Sequence, residues 1–155
     1  MVRFKNRWLL VEFLPPSSAG TNRPPAELTG KQIYAALRQS VIAHFGDVGW
    51  GAVGASLNVK YFSPTTGLCI IRVARDPYRT AWGALTLLTS IDGWTCVPNV
   101  IHVSGTIKHA QLAAIEHNRI VVARYRARAH TPAGYKDSYA DYLEQSTQEL
   151  QSLRD

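Results

Sequence analysis

The stretch VGASLNVKYFSPTTGLCIIRVA, residues 53–74, decides the fold. Val53, Ala55, Leu57, Val59 and Tyr61 alternate with Gly54, Ser56, Asn58 and Lys60, the period of a half-buried strand. Ser63-Pro64-Thr65-Thr66-Gly67 is turn chemistry. Leu68 to Ala74 is a second β-type run, so the two predict an antiparallel hairpin.

A helix lies on each side of that hairpin. Upstream, Thr29 and Gln32 have the spacing of a capping box, and Leu28 with Ile33 fits a hydrophobic staple. Ile33, Leu37, Val41 and Phe45 follow at steps of four, and Gly46 stands where a C-terminal cap belongs. Further upstream, the loop from Pro15 to Pro25 follows a strand over residues 3–14, with Phe4, Trp8 and Leu10 on one face and Arg3, Lys5 and Arg7 on the other. Downstream, Asp76 as N-cap and Pro77 at the first helical position open a helix that Gly93 closes, with Tyr78, Trp82, Leu85 and Thr89 on its buried face. After a Pro98-Asn99 turn, residues 100–103 form the fourth strand. The order β-α-β-β-α-β predicts an α/β two-layer sandwich, ferredoxin-like and similar to the RNA-recognition motif (RRM-like). Residues 107–128 hold no proline or glycine and predict a long helix, Thr131-Pro132-Ala133-Gly134 breaks it, and residues 136–153 predict a second, mostly polar one. Residues 1–130 thus read as one domain that includes the long helix, and residues 131–155 as an acidic, helical C-terminal extension. An open sheet face must be covered, and the long helix is placed to cover it.

The chain has 155 residues, 46% of them apolar and 18% charged, enough for one domain with a real core and too apolar for intrinsic disorder. No apolar run is long enough to span a membrane, and the run ending at Pro15 is too short for a signal peptide. Cys69 and Cys96 cannot make a disulfide framework, so the chain reads as soluble and intracellular. The net charge of +6 is unevenly placed: residues 1–130 carry +9 and residues 131–155 carry −3. A basic body suits a polyanionic partner; ordinary solubility charge is the competing reading.

Chemistry-bearing motifs are missing: there is no Walker loop, HExxH, CxxC or G-x-S-x-G. His44, His102, His109, His117 and His130 are scattered without metal-ligand spacing, no metal site is expected, and the chain is not expected to be a catalyst. No convergent polar pocket for a small-molecule enzyme is legible. The third strand of the sandwich, Gly67-Leu68-Cys69-Ile70-Ile71-Arg72-Val73, has none of the aromatics that stack bases in single-strand readers, so any RNA binding works by charge and shape. Thr106 is placed to cap the long helix, whose first turn carries Lys108 and His109. Cations at a helix start are unfavourable unless an anion such as phosphate sits there, although an exposed lysine costs only a few tenths of a kcal/mol. The same helix ends in Arg119, Arg124, Arg126 and Arg128, with His117 on the Arg124–Arg128 stripe, and cations at a helix end are favourable without any ligand. Arg3, Lys5 and Arg7 cannot all sit in a core.

Met1-Val2-Arg3-Phe4-Lys5-Asn6-Arg7-Trp8-Leu9-Leu10, Val59-Lys60-Tyr61 through Thr66-Gly67, and above all His102-Val103-Ser104-Gly105-Thr106-Ile107-Lys108 closely resemble the small protein subunit family of eukaryotic ribonuclease P and ribonuclease MRP, of the Pop-five type. The similarity runs from Met1 to about Arg126. The loop from Pro15 to Pro25 and the tail after His130 do not match. The resemblance implies an RRM-like sandwich with added helices in a nuclear, largely nucleolar ribonucleoprotein. It implies a non-catalytic, RNA-binding subunit that supports the catalytic RNA in precursor-tRNA 5′ leader removal and precursor-rRNA processing. The protein itself holds no cofactor, Mg²⁺ is expected on the partner RNA, and the partners are that RNA, precursor tRNA, a TIM-barrel subunit and a second small RRM-like subunit. By matching position it puts RNA contacts at Arg3, Lys5, Arg7, Lys108 and His109, and less closely at Arg119, Arg124, Arg126 and Arg128. The alternative is a protein-interaction adaptor with no direct RNA contact.

Overall fold

The computed structural model describes residues 4–16, 24–129 and 139–155. Strands β1 (Asn6–Leu14), β2 (Asn58–Ser63), β3 (Leu68–Ala74) and β6 (Val97–Ser104) form one antiparallel sheet in the order β2-β3-β1-β6. Helices α1 (Gly30–Val53) and α2 (Tyr78–Thr86) pack on one face of it. Helices α3 (Ile107–Ala129) and α4 (Tyr139–Ser152) pack on the other. Short strands β4 (Ser90–Ile91) and β5 (Trp94–Thr95) make a separate hairpin. The RRM-like sandwich with additional C-terminal helices is borne out, and the long helix does cover the open face. Among the described residues no helix is long and apolar enough to cross a membrane.

β1 explains why both faces are covered. Leu9, Val11 and Phe13 point into the core beneath α1 and α2, with Ile33, Leu37, Val41, Ile71 and Leu85. Trp8 and Leu10 point the other way, to Leu68, Ile70, Ala110, Ala114 and Leu150. The expected polar face on β1 is therefore confined to its start. Phe4, expected inside, precedes the strand and is 89% exposed.

The start of α1 matches expectation. The Thr29 backbone N–H donates to Gln32 Oε1 at 2.7 Å, and Leu28 and Ile33 are both buried. Gly46 does not end the helix: it takes φ 69°, kinks the chain, and a further segment runs to Val53. Val53 ends that extension, Gly54 caps it and residues 54–56 turn, so β2 begins at Asn58 and not at Val53.

Helix α2 departs further. Pro77, not Asp76, is its N-cap, and Asp76 pairs instead with Arg75 Nε at 3.4 Å. Its buried residues are Ala81, Ala84 and Leu85, with Leu88 just beyond, whereas Trp82 and Thr89 are exposed and Tyr78 is half-buried. The two helices cross closely, with Ser40 Oγ on α1 donating to the Ala84 carbonyl of α2 at 2.6 Å and a methyl on Gly83 reaching to 3.0 Å from Phe45 Cζ. Gly93 closes no helix; with Asp92 it forms the left-handed turn of the β4–β5 hairpin, φ 49° and 80°. Pro98 and Asn99 lie within β6, an edge strand, where a missing N–H is tolerated.

Helix α4 occupies residues 139–152 of the segment expected to be helical from residue 136, and residues 130–138 lie outside the described ones. Its seat is largely hydroxyl chemistry. Ser146 Oγ lies 2.6 Å from Tyr61 Oη and accepts from Asn118 Nδ2 at 2.9 Å. Thr66 Oγ1 donates to Asn118 Oδ1 at 2.9 Å, and Tyr142 Oη meets Thr66 Oγ1 and Ser63 Oγ. Burial pushes the Tyr61 phenol up to about 12, which keeps it protonated in this network.

Candidate nucleic-acid interface

Antiparallel pairing brings the start of β1 beside the start of α3. Trp8 is opposite Ser104, where the pairing ends, so the antiparallel course brings Arg7 toward Gly105 at the entry to α3. A methyl placed on Gly105 would lie 3.5 Å from Arg7 Nη1, which puts the guanidinium directly over the helix entry. Thr106 caps the helix as expected: the His109 N–H donates to Thr106 Oγ1 at 3.4 Å, and Ser104 Oγ donates to the Thr106 carbonyl at 2.7 Å. No acidic residue occupies the first turn of α3, and Lys108 and His109 are exposed there. Arg7 is half-buried and donates Nη1 to the Asn6 carbonyl at 3.0 Å, and Lys5 is exposed. Four of the expected contact residues, Lys5, Arg7, Lys108 and His109, thus meet at one corner of the sheet. Arg3 lies outside the described residues.

Sequence reasoning missed two further cations at this end. The Arg75 backbone N–H donates to the Lys5 carbonyl at 2.9 Å, which ties the end of β3 to the corner. Arg72 stands opposite Trp8 on β3, half-buried, and its Nε is buried without a hydrogen-bond partner. A lone cation inside the apolar run Leu68 to Ala74 was the available signal, because a buried donor left unpaired costs about 1–3 kcal/mol.

Arg119, Arg124, Arg126 and Arg128 are exposed but do not join the corner. They occupy the second half of α3, and Arg128 is roughly 30 Å along the axis from Lys108 at 1.5 Å per residue. Arg126 and Arg128 lie in the last turn, where the helix dipole favours cations. The stripe expected to join His117 to Arg124 and Arg128 does not form. His117 turns into the sheet, its Nε2 3.2 Å from Glu12 Oε1, within ion-pair distance though not aligned as a hydrogen bond. Both side chains are nearly buried, so this pair belongs to the packing of α3 on β1.

The sheet face itself offers no platform for bases. Trp8, Tyr61 and Ile70 lie beneath α3 and α4 and are at most 4% exposed. An arrangement of this kind presents point charges and helix-start N–H groups to a phosphate backbone and does not read bases by stacking. On the opposite side of the sheet, α1 and α2 expose Ile42, Phe45, Val48, Trp82 and Leu87, with Val48 87% exposed.

The profile of the Rpp14/Pop5 family matches residues 7–115. The ribonuclease P/MRP protein subunit POP5 of Schizosaccharomyces pombe is 45% identical over 124 residues, covering 77% of this chain and 89% of that protein. A probable subunit of the same name from Arabidopsis thaliana is 37% identical, covering 75% and 78%. The human protein of that name is 29% identical, covering 77% and 73%. Among solved structures, a chain of the cryo-EM structure of yeast ribonuclease MRP superposes with a TM-score of 0.52 at 11% identity, covering 97% of this chain and 95% of that one, which supports the fold.

Proposed function

The chain belongs to the Rpp14/Pop5 family, and from that premise we propose that it binds structured RNA through the corner formed by Lys5, Arg7, Lys108 and His109. It is a protein subunit of the ribonuclease P/MRP complex and is not itself the catalyst. In the proposed role it supports the catalytic RNA in 5′ leader removal from precursor tRNA and in precursor-rRNA processing. The observation that carries this reading is the convergence of cations from two separate elements on the start of α3. A helix start holds partial positive charge, so cations gathered there repel it and one another unless an anion sits among them. Phosphate supplies that anion, and contacts to the backbone position the protein without reading sequence. The Mg²⁺ of the reaction is proposed to sit on the RNA, and the proposed place of action is the nucleus and nucleolus.

The protein partners, a TIM-barrel subunit and a second small RRM-like subunit, are proposed to use the apolar surface of α1 and α2. Val48→Glu combined with Leu87→Glu tests this, because both side chains face solvent and the fold should tolerate the change. The expected result is a thermal midpoint unchanged within about 2 °C and loss of the co-purifying protein subunits. Retention of every subunit would remove this surface from the assembly.

The direct test is mild affinity purification of the tagged chain, with sequencing of bound RNA and a precursor-tRNA cleavage assay. Recovery of one or two abundant structured RNAs, with Mg²⁺-dependent 5′ cleavage that RNase abolishes, is the expected result. A stable protein partner with neither enriched RNA nor cleavage would favour the adaptor reading.

A further inference from the structure

We propose that Arg72 is a further phosphate contact of the bound RNA, on the sheet face that α3 and α4 cover; the proposal rests on the RNA-binding reading above. Along β3, Leu68 and Ile70 pack beneath α3 and α4, whereas Cys69, Ile71 and Val73 pack beneath α1 and α2. Strand alternation therefore turns Arg72 to the side of Leu68 and Ile70. Across the sheet, Asn58, Arg72, Trp8 and Ser104 stand in one row. At about 4.8 Å between strands, Arg72 is roughly 10 Å from Ser104, the residue that leads into α3. It thus shares the end of the sheet at which α3 begins. Asn58, its neighbour on the edge strand β2, is exposed, so the row is open to solvent on that side. The apolar surface proposed for protein partners lies on the other face, which favours RNA over a protein carboxylate as the anion that Arg72 meets.

The side chain is held in place, but its charge is unmatched. Trp8 beside it is buried, Arg72 is half-buried, and its Nε is enclosed without a hydrogen-bond partner. The ion pairs among the described residues are Arg75–Asp76 and His117–Glu12, so no carboxylate there neutralises Arg72. Water screens a half-buried charge less than an exposed one, and an anion beside it gains correspondingly more. A guanidinium also presents a planar fork that fits phosphate in two parallel hydrogen bonds. With its stem fixed by packing, Arg72 loses little freedom when that fork is filled.

The test measures binding of the full chain to a structured ribonuclease P RNA by fluorescence anisotropy over a salt series, with a thermal melt of each variant. Arg72→Met keeps the apolar stem and removes the charge together with its unpaired donor. Arg72→Lys keeps the charge without the fork, and Arg79→Met removes one exposed cation from α2, on the other face. Arg72→Met is expected to weaken RNA binding about fivefold at physiological salt and to make the slope of log K against log[salt] shallower by about one. Its thermal midpoint should stay level or rise by up to about 4 °C, because a buried unpaired donor is gone. Arg72→Lys should keep the parent slope and bind about twofold more weakly, and Arg79→Met should match the parent. A midpoint lowered by more than about 2 °C in Arg72→Met would assign the side chain to the packing of the sheet face and overturn the contact. An Arg72→Met slope equal to that of the parent or of Arg79→Met would overturn it too, and so would loss of a protein subunit from the purified complex at unchanged RNA affinity. In each of these cases the RNA reading stands if Arg7→Ala with Lys108→Ala still lowers the slope. A full chain that binds no RNA would overturn both.

Discussion

Replacing Arg7 and Lys108 together with alanine should make the salt dependence of RNA binding shallower by about two in the slope of log K against log[salt]. Each phosphate neutralised by a lysine or arginine releases condensed counterions and contributes about 0.9 to that slope. Taking two phosphate partners away from one corner should also weaken binding on the order of tenfold at physiological salt. The double variant suits this measurement because neither side chain holds the fold together. Lys108 is exposed, and the hydrogen bond described for Arg7 goes to the carbonyl of its own neighbour, Asn6. A parallel variant, Arg124→Ala with Arg128→Ala, reads the other end of α3. If it lowers the slope as much, the RNA runs along the helix; if only the corner variant does, the contact is local. A corner variant with the parent slope would remove Arg7 and Lys108 from the interface.

The corner was legible in the sequence only in pieces. Lys108 and His109 stood out because they break the rule for a helix start, which is local information. That Arg7 joins them depends on the register of β1 against β6, where Trp8 meets Ser104, and no local pattern carries a register. Elements followed the same rule. The start of α1 was readable because a capping box spans four residues. The alternation of Arg3, Lys5 and Arg7 predicts a polar face that β1 does not have beyond Arg7. The run Trp8 to Leu14 reads on inspection as a strand buried on both sides. Glu12 inside that run was a further signal, since a buried carboxylate needs a partner, and His117 is the partner it finds. On α2 the aromatic spacing points to Tyr78 and Trp82, whereas the close approach to α1 buries Ala81 and Ala84 beside the expected Leu85. Of α4, the helical spacing of Tyr139, Tyr142, Leu143, Leu150 and Leu153 was legible, but the hydroxyl and amide partners of Ser146 and Tyr142 on the β2–β3 hairpin and α3 were not, because they lie far away in sequence.

Gly67→Val should lower stability by about 3 kcal/mol, whereas Gly93→Ala should cost about 1 kcal/mol. Both glycines hold positive φ, 70° and 80°, and both sit in hairpin turns. They differ in what surrounds them. A Cβ on Gly67 would lie 2.8 Å from the Phe13 carbonyl oxygen, and that backbone cannot retreat because the Phe13 N–H donates to the Gly67 carbonyl at 2.9 Å. A Cβ on Gly93 would meet nothing within 4 Å. The valine therefore adds a backbone clash and a β-branched side chain to the φ penalty, while the alanine carries the φ penalty alone. The effect at Gly67 also reaches the face of the sheet that α3 and α4 cover. Its neighbour Thr66 is buried and holds Asn118 of α3 and Tyr142 of α4 from the hairpin tip, so a displaced turn loosens both helices over the sheet. Thermal unfolding of the two variants should show a drop of about 6–12 °C for Gly67→Val and about 2–4 °C for Gly93→Ala. Equal drops would mean that the turn conformation alone sets the cost, and that the contact with Phe13 does not hold the hairpin in place.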